Sequence, residues 1–267
     1  EKENDDSWLN DLAGEALFTD EHALRMSTLF RGRDDVFARQ WVSEDGHTGY
    51  SPVYKPYTQR VVKNHLLGNY TTGIYLSKPD GKARVLAFDC DIEKSSIESA
   101  RGSAERAQEL REKVIAVGVS LCRTLTEHGL VPILEDSGYK GVHVWVVCDE
   151  WQACGRLRRR GTILANLAGD VPGEIGVEIF PKQRTRPKKL GNLIKLPLGI
   201  HRKTGRRSAL LDMTGMPYDD QPAALLDVRV SPSSVIQRLL DTYNIPEKRT
   251  SEGKGRRFAR SARQRTR

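Results

Sequence analysis

The chain has 267 residues, of which 38% are hydrophobic and 29% charged, and its formal net charge is +8. This composition is typical of a soluble globular protein, and no apolar run approaches the roughly 20 residues that cross a bilayer. We therefore expect a cytoplasmic protein that does not enter membranes. The four cysteines show neither a CxxC pair nor zinc-ligand spacing, so we expect free thiols.

The N-terminal half is predicted to combine helices with β-hairpins. Residues 20–30 predict a helix, and the next 25 residues predict a hairpin around the turn SEDGHTG. A short helix is expected near 58–67, and a second hairpin over 71–92 with KPDG at its turn. Residues 96–128 have apolar residues at spacings of three and four, which predicts one long helix.

The C-terminal half is predicted to continue the same mixture. Residues 130–149 predict two strands around a glycine-rich turn, and a helix follows near 151–168. The remaining predicted elements are strands near 176–180, 192–196 and 208–211 and a helix over 232–243. Hairpins mixed with helices favour an α+β architecture with largely antiparallel sheets.

Positive charge is concentrated in two segments. Residues 247–267 hold nine Lys or Arg against two Glu, and residues 182–207 hold ten with no acid. Such blocks indicate a polyanionic partner, most often nucleic acid or nucleotide phosphates, although a solvated basic surface is the alternative. The C-terminal segment is almost without apolar residues and is expected to be disordered unless bound. We divide the chain into an extension over 1–19, a folded domain over 20–246 and a basic tail or linker over 247–267.

The stretch RVLAFDCDIE predicts a hydrophobic strand that ends in two acids, Asp89 and Asp91. Residues i and i+2 of a strand point to the same face, so the two carboxylates are expected side by side. Like charges at that separation repel unless a cation lies between them. The pair therefore indicates a divalent metal site, with a solvated acidic turn as the alternative.

The stretch EDSGYKGVHVWVV predicts a glycine turn between two strands. Glycines such as Gly138 let the backbone approach a ligand closely, and turn amides can hold phosphate oxygens. Ser137 offers a hydroxyl, Lys140 a positive charge and His143 an imidazole, which together suit a triphosphate. An ordinary glycine-rich hairpin is the alternative.

Two further charged residues lie inside apolar strand patterns. Glu178 is flanked by Val177 and Ile179, and Lys195 lies among leucines and an isoleucine. A charge in such a strand faces either solvent or a partner in a site. Three carboxylates, a glycine turn and an inward lysine describe a site for nucleotidyl transfer with two divalent ions, Mg²⁺ or Mn²⁺.

These motifs resemble those of the archaeo-eukaryotic primase superfamily. AFDCD is similar to its hydrophobic-Asp-x-Asp motif, and SGYKGVHVWV to its second motif in the longer form of bacterial repair polymerases attached to DNA ligases. VEIF occupies the place of the third motif, with Glu178 where an Asp is usual. Over about residues 28–212 the chain looks especially like primase-polymerases of bacterial conflict systems and of CRISPR loci.

The resemblance implies a primase-like fold, in which an N-terminal α/β part packs on a module resembling an RNA-recognition motif, with the active site in the cleft between them. It implies metal binding by Asp89, Asp91 and Glu178. The activity implied is template-directed primer synthesis or extension. The implied partners are nucleoside triphosphates, single-stranded or primer-template DNA or RNA, and further domains or conflict-system or CRISPR proteins. The residues implied in triphosphate binding are Ser137, Gly138, Lys140, His143 and Lys195.

Further candidates surround this set. The additional nucleotide-binding candidates are Tyr50, His201 and Arg202, and the nucleic-acid-binding candidates are Arg31, Arg33, Lys182, Arg184 and Arg186. Two rival functions are considered. A non-catalytic nucleic-acid-binding module would need no acid cluster facing phosphates, and a two-metal nuclease would need no triphosphate pocket.

Overall fold

The computed structural model describes residues 17–235 and residue 238. The helices in chain order are α1 (Asp20–Leu29), α2 (Gln59–Leu66), α3 (Lys94–Ser99), α4 (Ala104–Glu127), α5 (Cys154–Leu167) and α6 (Gln221–Asp227). The strands in chain order are β1 (Phe37–Val42), β2 (Thr48–Val53), β3 (Thr72–Tyr75), β4 (Lys82–Ile92), β5 (Pro132–Asp136), β6 (Gly141–Ala153), β7 (Ile175–Phe180), β8 (Leu193–Lys195) and β9 (Ala209–Leu211).

The strands form two antiparallel sheets. The smaller sheet has four strands in the order β2-β1-β3-β8, and the larger has five in the order β7-β4-β6-β5-β9. Every pairing within them is antiparallel. The predicted α+β class is confirmed.

The five-stranded sheet is covered on both faces, as the sequence of β4 requires. One face carries Phe88 and Cys90, which pack with the apolar residues of α4 and α5 in one core cluster. The other face carries Ala87 and Trp145, which pack with α1, α2 and Ile74 of β3 in a second cluster. Because alternate residues of β4 enter different cores, this strand is apolar almost throughout.

Most predicted elements lie within a few residues of their expected positions. The hairpin of β1 and β2 is confirmed, as is the hairpin of β5 and β6 around the glycine turn. Helix α2 begins after Thr58, whose side-chain oxygen accepts a hydrogen bond from the amide of Val61 at 3.4 Å.

The predicted second hairpin over 71–92 is wrong. The turn itself forms, since the Gly81 amide donates to the carbonyl of Lys78 at 2.9 Å. However, β3 pairs with β1 and β8, whereas β4 pairs with β6 and β7 in the other sheet. Turn residues fix a local reversal of the chain, but they do not determine which strands then pair.

The single helix predicted over 96–128 is two helices, α3 and α4. They are separated at Gly102, which has a φ of +85°, and Ser103, whose hydroxyl accepts from the amide of Arg106 at 3.1 Å. A left-handed glycine ends one helix and the serine caps the next. Helix α6 was not predicted, because its seven residues are too short to show a helical period.

Several predictions concern parts of the chain that the structure does not describe. The basic tail over 247–267 and nearly all of the 1–19 extension lie outside the described residues, as does most of the helix predicted over 232–243. Among the described helices, none is both long and apolar enough to span a bilayer.

We expect Leu110→Ala to lower the free energy of unfolding by about 2–5 kcal/mol, because Leu110 is 1% exposed between α4 and the sheet and its removal leaves a cavity. Leu24→Ala is the matched control, since Leu24 lies on α1 and is 54% exposed. The control should change stability by less than about 0.5 kcal/mol. Urea unfolding followed by circular dichroism measures both, and equal effects would contradict the packing described here.

Candidate active site

Four charged side chains form a row across the five-stranded sheet. In the strand register, Asp89 of β4 is paired with Glu178 of β7 on one side and with His143 of β6 on the other. His143 is in turn paired with Glu135 of β5. Directly paired residues have their side chains on the same face about 4.5–5.5 Å apart. We call these four residues the catalytic row.

Asp91 lies on the same face as Asp89, two residues further along β4, and its neighbours on both adjacent strands are glycines. It is paired with Gly141 of β6 and Gly176 of β7. A side chain at position 141 would begin 2.5 Å from the Oδ1 atom of Asp91. The glycine therefore leaves room for this carboxylate beside Asp89, as the i, i+2 spacing predicted.

The negative charges of Asp89, Asp91 and Glu178 lie close together and favour the binding of a cation. The pKa of Asp89 is raised to about 6, chiefly by burial and also by the charges of Asp91 and Glu178, while the charges of His143 and Lys140 oppose the shift. The side chain of Asp89 is 22% exposed, whereas that of Glu178 is 58% exposed. Asp89 is therefore protonated more readily than an ordinary aspartic acid, because its ionised form is both desolvated and close to other negative charges.

Two lysines contact the outer carboxylates. The Nζ atom of Lys140 lies 2.8 Å from Asp91, and that of Lys182 lies 2.5 Å from Glu178. Both lysines are about 30% exposed, so they can exchange these partners for others. Within residues 17–235 and 238, no group of three or more His, Cys, Asp or Glu side chains is arranged as a metal site. The donors of this cluster are nevertheless all carboxylate oxygens, the ligands that Mg²⁺ and Mn²⁺ prefer.

Glu135 organises the other end of the catalytic row. Its carboxylate is fully buried and accepts hydrogen bonds from His143 Nδ1 at 2.9 Å, Trp145 Nε1 at 2.9 Å and Lys195 Nζ at 3.1 Å. Burial alone would raise the pKa of Glu135, but the charges of Lys195 and His143 hold it below its usual range. Glu135 is therefore a buried anion whose charge is stabilised by Lys195, His143 and Trp145.

His143 is held between two carboxylates. Its Nδ1 atom contacts Glu135, and its Nε2 atom lies 3.5 Å from Asp89. Burial disfavours its charged form, but the charge and hydrogen bond of Glu135, together with the charge of Asp89, leave its pKa above the ordinary value. The imidazole is thus favoured as a cation whose Nε2–H points toward the acidic end of the row.

The glycine turn is fixed on both sides. Gly138 has a φ of +77°, and its amide donates to the carboxylate of Asp136 at 2.9 Å. That carboxylate also contacts Arg111 at 2.6 Å and Arg206 at 3.1 Å. The amide of Ser137 donates to the carbonyl of Gly141 at 3.0 Å, and the Ser137 hydroxyl is the acceptor of the turn amide of Tyr139 at 3.4 Å.

The four-stranded sheet supplies the opposite wall. Tyr50 of β2 lies against Gly73 of β3, where a side chain at position 73 would begin 3.1 Å from its ring. Burial raises the pKa of Tyr50 above its ordinary value, and the negative charges of Asp89 and Glu135 add to this shift. The phenol therefore stays protonated and faces the catalytic row.

Lys195 joins the two sheets. It lies on β8 and is 7% exposed, and its Nζ atom donates to Glu135 at 3.1 Å, to the Ser208 hydroxyl at 2.9 Å and to the Leu196 carbonyl at 3.2 Å. All three ammonium hydrogens are thus used inside the protein. Lys195 therefore points inward, as the sequence indicated, and its ammonium group contacts the carboxylate of Glu135.

His201 and Arg202 lie beside the glycine turn. The His201 ring stacks on Tyr139 with 5.0 Å between centroids, and its Nε2 atom lies 3.2 Å from the Gln40 amide nitrogen. The pKa of His201 is lowered to about 4, chiefly by burial and also by the charges of Lys195 and Lys203.

His201 is therefore neutral at neutral pH and cannot supply a positive charge. Arg202 donates its backbone amide to the side chain of Gln40 at 3.0 Å and its guanidinium to the carbonyl of Gly68 at 3.0 Å. Both residues are thus held by the loops that flank the glycine turn.

The nucleic-acid candidates are spread more widely. Arg31 is exposed after the end of α1, and Arg33 forms a forked contact with Asp35 at 2.8 and 2.5 Å. Arg186 packs against Gly81. The backbone of Arg184 passes close to Gly155 at the start of α5. Lys182 contacts Glu178 of the catalytic row.

Glu135 and Tyr139 are the site residues that the sequence reasoning missed. A signal for Glu135 was available, because the predicted hairpin around the turn at 138–139 pairs position 135 with His143. An acid in an apolar strand opposite a candidate histidine could have been found in this way. Tyr139 had no comparable signal, since its partner His201 comes from a distant loop.

A family model matches most of this chain. The archaeo-eukaryotic primase domain of the TOTE conflict system matches residues 21–239. No curated protein matches. The chain therefore belongs to the archaeo-eukaryotic primases, and within them to the family found in TOTE conflict systems. Its fold is primase-like, and its family supports a nucleotidyltransferase of the primase type.

Solved structures with similar folds include two polymerases. One is the archaeo-eukaryotic primase domain of the cyanophage S-2L primase-polymerase, with 15% identity over 79% of this chain and 98% of that chain and a TM-score of 0.38. The other is the polymerase domain of Mycobacterium tuberculosis ligase D in complex with DNA, with 15% identity over 83% of this chain and 87% of that chain and a TM-score of 0.41. The family assignment rests on the sequence match, since these likenesses are distant.

We expect Asp89→Asn to stabilise the metal-free protein at pH ~8. A carboxyl whose folded pKa of about 6 exceeds its ordinary value of 3.8 is destabilising when ionised, so its removal helps most above that pKa. The gain should shrink as the pH falls below 6 and vanish only below the unfolded pKa, near pH ~3, where the folded and unfolded carboxyls are both protonated. Urea unfolding in EDTA across this pH range is the measurement.

Asp212→Asn is the control with the opposite sign. Hydrogen bonds from Thr214 and Met216 hold the pKa of Asp212 below its ordinary value, so its ionised form stabilises the folded state above the ordinary pKa. This variant should be less stable than the wild type at pH ~8. If Asp89→Asn behaved like Asp212→Asn, the ionised form of Asp89 would not be destabilised by burial and by its acidic neighbours.

Proposed function

We propose that this protein is a primase-polymerase, a template-directed nucleotidyltransferase that synthesises or extends nucleic-acid primers with two divalent cations. The observation that carries the proposal is the strand register that brings Asp89, Asp91 and Glu178 to one face, beside a histidine held by a buried carboxylate. A module that only bound nucleic acid would gain nothing from placing three carboxylates where phosphates lie.

Asp89, Asp91 and Glu178 are proposed to hold the Mg²⁺ or Mn²⁺ ions. When bound, such ions neutralise charge on a triphosphate and lower the pKa of an attacking 3′-hydroxyl. Lys140 and Lys182 neutralise two of these carboxylates through the contacts described above. Their exposure lets them turn toward phosphate oxygens of a bound nucleotide.

The glycine turn and its neighbours are proposed to bind the nucleotide. Ser137 and Lys140 are proposed to offer the nucleotide a hydroxyl and a charge, and His143 to offer its Nε2–H. Gly138 is proposed to give the turn the left-handed conformation that places them. Lys195 has no free donor, so we propose that its charge acts on the nucleotide through Glu135 and His143.

Three residues border this pocket. Tyr50 offers a ring that faces the catalytic row and is proposed to lie against the incoming sugar. His201 and Arg202 are proposed to shape the pocket through Tyr139 and Gln40, since neither has a free charge directed at the row.

The proposed partners follow from the basic residues. Arg31, Arg33, Lys182, Arg184 and Arg186 are proposed to contact single-stranded or primer-template DNA or RNA. Cytoplasmic location and association with further domains or conflict-system or CRISPR proteins are proposed from the family.

The proposal is tested by incubating the protein with a single-stranded template and Mn²⁺, with and without an annealed primer and with ribonucleotides or deoxyribonucleotides separately. A ladder of products longer than the primer, or new chains without it, is the expected result on a denaturing gel. Shortened template without extension would instead identify a nuclease. Template binding with neither product would identify a binding module.

We expect Asp91→Ala to reduce nucleotide addition by at least about 10²-fold, because a metal site contributes several kcal/mol and each ~1.4 kcal/mol is tenfold in rate. Glu178→Gln removes the charge and keeps the shape, and it should show a defect of the same kind but smaller, since Glu178 is the most exposed of the three. Primer extension at saturating nucleotide is the measurement. Full activity of Glu178→Gln would place the third ligand elsewhere.

We expect Glu135→Gln to destabilise the protein by about 3–5 kcal/mol, because it leaves the buried charge of Lys195 without its partner. The apparent KM for nucleotide should also rise, since His143 loses the carboxylate that holds it. Adding Lys195→Met should recover much of the stability but not the KM. If the double variant recovered both, Glu135 would be structural only.

A further inference from the structure

A second open groove lies beyond the catalytic row. It occupies about 840 Å³ between the ends of β2 and β3 and the segment that precedes β8. This volume is within the range of ~300–1,000 Å³ that is usual for ligand sites. Its lining includes Arg33, Tyr54, Tyr75, Lys188, Lys189 and Leu193. We call it the tyrosine groove.

The tyrosine groove continues the wall of the catalytic cleft. Tyr75 is paired with Leu193, and two residues further along the same two strands Gly73 is paired with Lys195, which contacts Glu135. Positions two apart share a face, so groove and cleft are successive stretches of one sheet surface. Tyr50, which faces the catalytic row, packs in the same apolar cluster as Tyr75 and Leu193.

The chemistry of the groove is aromatic and basic. Tyr54 is 73% exposed, so its ring is accessible from the groove. Arg33, Lys188 and Lys189 line the groove, and none of its lining residues within the described range 17–235 is acidic. The charge of Arg33 is partly compensated by Asp35. Aromatic rings beside a basic surface are the features that bind single-stranded nucleic acid.

We propose that the tyrosine groove holds an unpaired segment of the template strand, with a base stacked on Tyr54 and backbone phosphates near Lys188 and Lys189. This inference rests on the proposed function and adds the place where the strand lies. A duplex hides the faces of its bases, so an exposed ring favours an unpaired strand. In template-directed synthesis the strand that is still unpaired is the template ahead of the growing end.

A smaller pocket extends the same path past Arg33. It has a volume of about 140 Å³. Its lining includes Arg31, Arg33, the acidic residue Asp34 and several residues with hydroxyl groups. Arg33 borders both cavities. The tyrosine groove and this pocket therefore meet at Arg33, and together they extend the positively charged surface as far as Arg31.

The test measures strand affinity without chemistry. A fluorescent single-stranded oligonucleotide is titrated in EDTA without nucleotide, and anisotropy reports binding. Tyr54→Ala should weaken affinity by about 5- to 150-fold, the effect of losing one stacked base. Tyr54→Phe keeps the ring and should bind like the wild type. Tyr218→Ala is the matched control, since Tyr218 is 46% exposed outside the groove, and it should also bind like the wild type.

Two further measurements sharpen the assignment. Lys189→Gln should lower the slope of log affinity against log salt by about 0.7, the value for one phosphate on a single strand. Tyr54→Ala should leave the affinity for a blunt duplex of equal length unchanged. Equal weakening for duplex and single strand would overturn the assignment to an unpaired segment.

The two proposals fail in different ways. If Tyr54→Ala bound single strands as tightly as the wild type, or if the wild type did not bind them, the groove assignment would be overturned while primer extension stood as a separate result. If the wild type added no nucleotide but Tyr54→Ala still lost strand affinity, the proposed function would fall and the groove assignment would survive.

Discussion

The buried ion pair between Glu135 and Lys195 is the interaction on which the rest of the site depends. This ion pair joins strand β8 of one sheet to strand β5 of the other. The same carboxylate fixes the ring of His143 and the indole of Trp145. Because a buried charge is tolerated only with its partners in place, the spacing of the sheets and the orientation of the histidine are set together.

Charge balance explains the distribution of cations in the site. Positive side chains contact every carboxylate of the cluster: His143 reaches Asp89, Lys140 reaches Asp91 and Lys182 reaches Glu178. The pKa of Asp89 remains raised in spite of these contacts, chiefly because burial disfavours its ionised form. Each of the three carboxylates thus has a positive partner, and two of these partners are lysines that are about 30% exposed.

The sequence predicted the parts of the site that depend on local spacing. Asp89 and Asp91 share a face because of strand alternation, and the glycine turn is where its glycines indicated. Partners brought together by the packing of two sheets, such as Lys195 with Glu135, could not be read from spacing. The separation of β3 from β4 was missed for the same reason, because pairing is decided by distant strands. The likeness of one module to an RNA-recognition motif stays a prediction.

Strand β7 forms the edge of the five-stranded sheet, whereas β4, its neighbour, lies inside the sheet. Glu178 therefore projects from an edge strand and is 58% exposed. Asp89 projects from a strand that packs on both faces, and it is 22% exposed. A change of side-chain length at 178 requires no repacking, but a change at 89 disturbs neighbours on two sides. A side chain of a different length at 178 is therefore tolerated at little cost to folding, whereas position 89 has little room for such a change.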